Sequence, residues 1–154
     1  MTRYASNTTV TVDKSKQEIE KILRRYGATA FLSGWSGRVA SIGFEIAQRR
    51  IQLRMILPDP KGPEFTRTPA RGNLRHPDDA AALWEKECRR LWRALCLVLK
   101  AKMEAVESGI STIEDEFLAW TCLPDGRTVG EALRPALGAA NELPRLVADL
   151  EAEK

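Results

Sequence analysis

Two neighbouring runs of alternating apolar residues limit the possible folds of this chain more than any other feature. The first run covers residues 38–47 and the second covers residues 50–57. Because successive side chains of a strand point to opposite faces, each run predicts a strand with one buried face. The apolar positions are Ala40, Ile42, Phe44 and Ile46 in the first run and Ile51, Leu53, Met55 and Leu57 in the second.

A third strand-like run at residues 28–35 completes a three-stranded antiparallel meander. Residues that lie directly opposite each other in an antiparallel pair share a face, so the apolar positions also predict the register. We expect Phe44 opposite Leu53, with a turn around Gln48 and Arg49. A turn at residues 36–37 would place Phe31 beside Ile42. The other face should be polar, with Ser41, Gly43, Glu45, Gln52 and Arg54.

Helical spacing of apolar residues predicts one helix before this meander in the sequence and one after it. The first helix, from about Asp13 to Tyr26, has a possible capping box in Ser15 and Glu18. The second is long, running from Asp78 to near Gly109 with an apolar stripe that includes both Trp84 and Trp92. Its middle, residues 94–99, is apolar nearly all round, which predicts contacts on more than one side, from the rest of the chain or from a second subunit.

The carboxyl-terminal part predicts only short helices. Ser111 with Glu114 suggests a helix start that leads to about Trp120, and residues 124–126 (Pro-Asp-Gly) predict a turn. Thr128 with Glu131 suggests the cap of a further short helix, and residues 141–154 a last one. The expected fold is therefore a single α+β domain over residues 1–154, with residues 1–12 as a flexible segment.

Composition limits the size of the core and the cellular location that we expect for this protein. The 154 residues, of which 44% are hydrophobic, suffice for one core. The sequence contains neither a secretory-type apolar segment nor a membrane span, and its three cysteines form no CxxC pair. We therefore expect a protein of a reducing cytoplasm, without a membrane partner.

Candidate catalytic chemistry is sparse. The one histidine, His76, has no evident orienting partner, and Cys88 and Cys96 lie among leucines at helical spacing, which favours packing. The acidic run Glu114 to Glu116 suits a helix start better than a metal. No phosphate loop, dinucleotide fingerprint or nucleophile elbow is present. We expect no catalytic residue, no metal and no cofactor.

Positive charge is concentrated in the first half of the chain. Residues 1–80 hold 14 basic against 8 acidic residues, a formal charge of +6, whereas residues 81–154 sum to −3. Residues 58–77 contain five prolines and no apolar periodicity, which predicts a long extended loop. If this loop and the second hairpin converge, their cations form one surface for phosphates or for an acidic protein. The candidate residues are Arg49, Arg50, Arg54, Lys61, Arg67, Arg71, Arg75 and His76, with Trp35 for stacking.

Several segments resemble small proteins encoded by tailed phages and prophages of proteobacteria. The resemblance is carried by residues 4–10 (YASNTTV), 18–28, 93–109 and 117–131, and we expect it to extend over nearly the whole chain. That family has no assigned function, so the resemblance implies an origin and no catalytic residue. The order helix, three strands, helix is also similar to that of double-stranded-RNA-binding domains, an analogy of fold alone.

The first hypothesis is a non-enzymatic phage accessory protein that binds nucleic acid, or a host nucleic-acid-processing or defence complex, through the basic surface. A second is a homo-oligomeric protein that uses the long helix, including Leu97, as its interface. A third is a small metal-dependent nuclease that uses the scattered carboxylates.

Overall fold

The computed structural model describes Ala5 and residues 8–138, and it has the expected α+β architecture. A three-stranded sheet is covered on one face by helices. The elements are α1 (Val12–Arg25), β1 (Ala30–Ser36), β2 (Val39–Ile46), β3 (Arg49–Ile56), α2 (Pro63–Thr66), α3 (Pro77–Glu107), α4 (Ile113–Phe117), a 3₁₀ turn (Leu118–Trp120) and α5 (Val129–Gly138).

The sheet is the predicted antiparallel meander, with strand order β1-β2-β3. The predicted faces are correct, but both registers are shifted by two residues. Phe44 lies opposite Ile51 rather than Leu53, and Phe31 lies opposite Phe44 rather than Ile42. Moving a two-residue turn by one position shifts the register by two and keeps every side chain on its face.

The two turns explain these shifts. The β2–β3 turn consists of Ala47 and Gln48, whose φ angles of 48° and 60° are those that a type I′ turn requires. The expected turn was one residue later. The β1–β2 turn consists of Gly37, with φ 57°, and Arg38, one residue later than expected.

Helix α1 begins one residue earlier than predicted and has a different cap. The side chain of Thr11 accepts a hydrogen bond from the Lys14 amide at 3.2 Å, so Thr11 is the N-cap and the Ser15–Glu18 capping box is wrong. Ser15 lies inside the helix, where it is fully buried. This small side chain is on the face that packs against α3.

Helix α3 has 31 residues and is about 46 Å long. His76 is its N-cap, because its Nδ1 accepts a hydrogen bond from the Asp78 amide at 3.3 Å. The buried stripe packs under the sheet and against α1. It consists of Ala80, Cys88, Trp92, Cys96, Leu99 and Met103. On the outer side Val98 is 45% exposed, so within the described chain the apolar middle is not covered all round.

Residues 58–77 contain a four-residue helix and a small hairpin within the predicted loop. Phe65, which is 7% exposed, anchors α2 against α3. After α2 the chain forms a small hairpin, in which Arg67 pairs with Leu74 and the Thr68 amide donates to the Asn73 carbonyl at 2.8 Å. We name residues 66–75 the basic hairpin.

The chain after α3 closes the free edge of β3. Thr121 forms a β-bridge with Ile51, and the Cys122 amide donates to the Arg50 carbonyl at 2.8 Å. The cap of α4 is Thr112 rather than Ser111. The capping box of Thr128 and Glu131 is confirmed by reciprocal hydrogen bonds.

The core lies between the sheet and the helices. Its centre is an edge-to-face contact of Phe44 with Phe117, at 5.5 Å between ring centroids. Among the residues described, no helix combines the length and the apolar character needed to cross a bilayer. The expected helix at residues 141–154 and much of the expected flexible segment at 1–12 lie outside the described residues.

Candidate ligand-binding cleft

An apolar cleft of about 530 Å³ opens at the end of the sheet where β1 turns into β2. Four parts of the chain line it: the start of α1, the β1–β2 turn, residues 57–60 and the first half of α3. The lining residues are Thr11, Val12, Lys16, Trp35, Gly37, Arg38, Ala40, Leu57, Pro58, Pro60, Trp84, Glu85, Cys88, Arg89 and Trp92.

Three tryptophans give the cleft its character. Trp92, only 4% exposed, belongs to the core, and the Lys16 ammonium lies 4.9 Å from its ring centroid. Trp84 is half-buried and donates its indole N–H to the Pro58 carbonyl at 2.9 Å. Trp35 is 75% exposed, which agrees with its selection as a stacking residue. Aromatic rings therefore line the cleft from the buried Trp92 to the exposed Trp35.

Local sequence explains why Trp35 is left uncovered. It lies on the core face of β1, and its partner on β2 is Ala40, whose methyl group covers little of an indole ring. The Leu57 amide donates to the Arg38 carbonyl at 2.7 Å, and the Arg38 Nε donates back to the Leu57 carbonyl at 3.1 Å. These bonds hold the turn against residues 57–60, where two prolines favour an extended chain.

Positively charged side chains surround the cleft, and their ion pairs with carboxylates are long or absent. Arg38 lies 3.9 Å from Asp59, and Arg89 lies 3.9 Å from Glu85, both at the limit for an ion pair. Lys16 has no carboxylate within 4 Å among the described residues. Because exposed pairs at this distance contribute little, these charges are available to an anionic ligand.

Lys61 directly follows residues 57–60, three of which line the cleft, and the basic hairpin follows after α2. Across the described ranges, no carboxylate lies within 4 Å of the side chains of Lys61, Arg67, Arg71 or Arg75. Arg67 donates to the Gly72 carbonyl at 3.0 Å and Arg75 donates to the Arg67 carbonyl at 3.1 Å. These two guanidinium groups therefore brace the hairpin while keeping their charge.

The other three candidate arginines each form an ion pair with a carboxylate. Arg49 pairs with Glu114 at 3.1 Å, Arg50 with Glu45 at 3.2 Å, and Arg54 with Glu131 at 2.7 Å. The β2–β3 turn is one strand length, about 26 Å, from the start of residues 57–60. Arg49 and Arg50 therefore lie far from the start of the proline-rich segment, whereas Arg54 lies three residues before Leu57. The single surface formed by the second hairpin and this segment stays a prediction.

His76 has a local role at the start of α3, and the interface role of Leu97 stays a prediction. His76 uses the lone pair of Nδ1 to cap α3, and its Nδ1 lies 3.5 Å from the Asp78 carboxylate. A helix cap explains its position without a ligand. Leu97 is half-buried on α3 beside the exposed Val98.

The carboxylates considered for a nuclease have separate partners. Glu114 pairs with Arg49, Asp115 accepts a hydrogen bond from Thr112, and Glu116 pairs with Lys102 at 2.9 Å. The lysine and a hydrogen bond from Ser111 hold the pKa of Glu116 below its usual value. Within the described part of the chain, no three metal-binding side chains form a group that could hold an ion.

The two buried cysteines have the chemistry of packed side chains. Burial raises the pKa of the Cys96 thiol to about 11, and burial also raises the pKa of Cys88, which lines the cleft. A thiol with a raised pKa holds little of the reactive thiolate at neutral pH. Both residues therefore fit the predicted packing role.

Sequence reasoning missed most of the cleft. Lys16, Arg38 and Arg89 were not selected, and Trp84 and Trp92 were assigned to the core. One usable signal was present: Trp84, Cys88 and Trp92 recur every four residues, so they share one side of α3. No such signal links this side of α3 to the β1–β2 turn, because their meeting depends on the tertiary fold.

Comparison with known proteins does not assign the cleft. No protein-family model, no curated protein and no solved structure matches this chain. The chemistry of the lining residues is therefore the basis for a functional proposal.

Proposed function

We propose that this protein binds single-stranded nucleic acid at the tryptophan cleft and the basic hairpin, without catalysing a reaction on it. The observation that carries the proposal is the exposed Trp35 ring at a cleft surrounded by Lys16, Arg38 and Arg89. Bases stack on aromatic rings, and cations beside those rings attract the phosphates. The combination suits a ligand that has both flat rings and negative charge.

The single-stranded form is favoured because stacking on Trp35 requires an unstacked base. In a duplex the faces of the bases are already covered by their neighbours, whereas a single strand can turn them outwards. Residues 57–60 lead from the cleft to Lys61 and then, through α2, to the basic hairpin, so we infer that a strand with one base at Trp35 extends its backbone past Lys61 towards Arg67 and Arg71.

A binding role fits the lining better than catalysis does. Apart from arginines, the ionisable side chains that line the cleft are Lys16, Glu85 and Cys88. The Cys88 pKa is raised, and Glu85 faces Arg89. No histidine lines the cleft, so a general acid–base pair matched to neutral pH is not evident there.

The biological setting proposed for this activity comes from the resemblance to phage and prophage proteins. It is an accessory role in the cytoplasm of a bacterial host, either in replication or recombination or against a host defence complex. An acidic host protein could contact the same cations. That alternative is an outcome of the experiments below.

The direct experiment is a titration of a fluorescein-labelled oligothymidylate, followed by anisotropy at low and at physiological salt. We expect binding that weakens steeply as salt increases. Trp35→Ala should weaken binding by about 1–3 kcal/mol, the usual range for one stacked base. Arg50→Gln, at the other end of the sheet, is the matched control and should leave the affinity unchanged.

The same experiment separates the alternatives. Absence of binding at low salt, or equal binding by the wild type and Trp35→Ala, would contradict the proposal. A host protein that is captured from lysate and retained after nuclease treatment, through the same cations, would favour the acidic-partner reading. Cleavage of the oligonucleotide with added Mg²⁺, lost in Glu114→Gln, would support a nuclease instead.

A further inference from the structure

Strand β1 is an edge strand that lacks the usual protection against pairing. Its inner side pairs with β2 from Ala30 to Ser36, and no strand or bridge of the described chain pairs with its outer side. Its sequence, AFLSGWS, contains no charged residue and no proline. Natural edge strands are normally blunted by charge, proline or bulges, because open edges pair with other chains.

Both faces of this strand carry uncovered apolar side chains beside the open edge. Leu32 is 74% exposed on the open face, and Trp35 is 75% exposed on the core face. By contrast, the far edge of β3 is paired at Ile51 with Thr121. Of the two outer edges of the sheet, the β1 edge is therefore the one left open.

The ladder shows which backbone groups point outwards from β1. The Leu57 amide donates to the Arg38 carbonyl, so the hydrogen-bonded pairs of β2 with β3 fall on the even-numbered residues of β2. The odd-numbered residues of β2 then bond to the even-numbered residues of β1. Consequently the N–H and C=O groups of Phe31, Ser33 and Trp35 point away from the sheet.

These three residues form a self-complementary set. If a second β1 lies antiparallel with Ser33 opposite Ser33, each Phe31 lies opposite the other chain's Trp35, and all three pairs are hydrogen-bonded pairs. Cross-strand aromatic pairs of this kind stabilise antiparallel sheets. On the open face, Leu32 of each chain would lie opposite Gly34 of the other, where no side chain competes for the space.

We propose that two copies of this chain associate through their β1 strands, antiparallel about a two-fold axis at Ser33, to form a continuous six-stranded sheet. Pairing by strand addition uses backbone hydrogen bonds for affinity and side chains for register. The occupant is a second copy because the outward-pointing residues Phe31, Ser33 and Trp35 are symmetric about Ser33, so that β1 matches itself at all three pairs. This proposal does not rest on nucleic-acid binding.

Sedimentation equilibrium of the full chain over micromolar concentrations tests the proposal. The wild type should sediment as a dimer, and Ser33→Pro should sediment as a monomer. Proline removes an N–H on the outer edge and leaves the bonds to β2 in place, so circular dichroism should be unchanged. Ser33→Ala, which keeps the N–H, is the matched control and should remain dimeric.

A second measurement locates the interface without a substitution in the strand. In hydrogen exchange of the wild type, the amides of Phe31, Ser33 and Trp35 should gain protection as the protein concentration rises through the dimerisation range. A monomer at all concentrations would overturn the proposal, as would a dimer that survives Ser33→Pro. Loss of the dimer in Leu97→Glu, with Ser33→Pro still dimeric, would place the interface on α3 instead.

The two proposals fail separately. The change Lys61→Glu with Arg71→Glu should weaken oligothymidylate binding and leave the dimer mass unchanged. Ser33→Pro should abolish the dimer and, because it frees the Trp35 ring from the partner's Phe31, should not weaken the binding of a short oligonucleotide.

Discussion

The two ends of the sheet each have a tight turn and a group of arginines, yet they differ in how those charges are held. At the β2–β3 end, Arg49 and Arg50 pair with carboxylates at 3.1 and 3.2 Å. At the β1–β2 end, Arg38 and Arg89 are 3.9 Å from theirs. Salt bridges and the Thr121–Cys122 segment cover the β2–β3 end, which we call the closed end. The β1–β2 end, the open end, borders the aromatic cleft.

This difference shows that positive charge is a poor guide to a binding surface until its partners are known. Arg49 and Glu114 are 65 residues apart in sequence, and Arg54 and Glu131 are 77 apart. The charge of the first half of the chain is thus partly balanced by acids of the second half. The cations proposed for the ligand lie beside the tryptophans and in the basic hairpin, where the charge is weakly paired or has no carboxylate within 4 Å among the described residues.

The largest expected effect is a difference in the free energy of unfolding between alanine substitutions of two tryptophans at the open end. Trp92→Ala should lower the free energy of unfolding by about 3–5 kcal/mol, because it empties a core position that is 4% exposed. Trp35→Ala should change it by less than about 0.5 kcal/mol, because that ring is largely in solvent. Urea unfolding of both variants measures this, and equal losses would show that Trp35 is a packing residue.

The next largest effect is a difference in oligonucleotide affinity between charge reversals at the two ends of the sheet. Lys61→Glu with Arg71→Glu should weaken oligothymidylate binding on the order of tenfold and reduce the log–log salt slope by about 1.4, since two phosphate contacts are lost. Arg49→Glu with Arg50→Glu changes the net charge equally at the closed end. A similar loss in that control would mean that only net charge matters.

The turns provide a smaller contrast in stability. Gln48 at the closed end has φ 60°, a conformation that costs an L-residue about 1–2 kcal/mol, so Gln48→Gly should stabilise the fold by roughly 0.5–1 kcal/mol after the entropy cost of glycine. Gly37→Ala at the open end, with φ 57°, should destabilise it by about 1 kcal/mol. Thermal melts of the two variants should shift in opposite directions, and shifts of the same sign would contradict the turn assignment.

The smallest effect concerns pH at the carboxylate that pairs with Arg54. The Thr128 amide and then Arg54 hold the pKa of Glu131 below its ordinary value of 4.5. A lowered folded-state pKa stabilises the fold above the ordinary value, and this contribution is lost as pH falls through the folded-state pKa. Glu131→Gln should therefore be less stable than the wild type at pH 7, and the two should converge in acid. A difference that persists at low pH would exclude this linkage.

Much of the fold follows from local patterns. The alternation at residues 38–47 and 50–57 predicts the strands and their faces, and the Thr128–Glu131 box predicts the start of α5. The register was missed because Ala47 and Gln48 are not typical residues for left-handed turn positions. The small helix α2 was missed because its one anchor, Phe65, gives no periodicity in a proline-rich segment.

The site was less predictable than the fold for a physical reason. Trp35 could be selected because it lies near the Ser36–Gly37 turn expected beside Arg38, where exposure is common. Lys16 and Arg89 could not be assigned to the same site from the sequence. They line one cleft with Trp35 only when α1 and α3 pack under the sheet. Pairings such as Arg49 with Glu114 depend on the same long-range packing.

Photo-crosslinking tests the proposed binding site most directly. An oligonucleotide carrying 5-iododeoxyuridine is irradiated with the wild-type protein, and the crosslinked peptide is identified by mass spectrometry. We expect the crosslink on Trp35, with weaker ones in the basic hairpin. A crosslink at Arg49 or Arg50, or none at an oligonucleotide concentration that saturates binding, would contradict a nucleic-acid site at the tryptophan cleft.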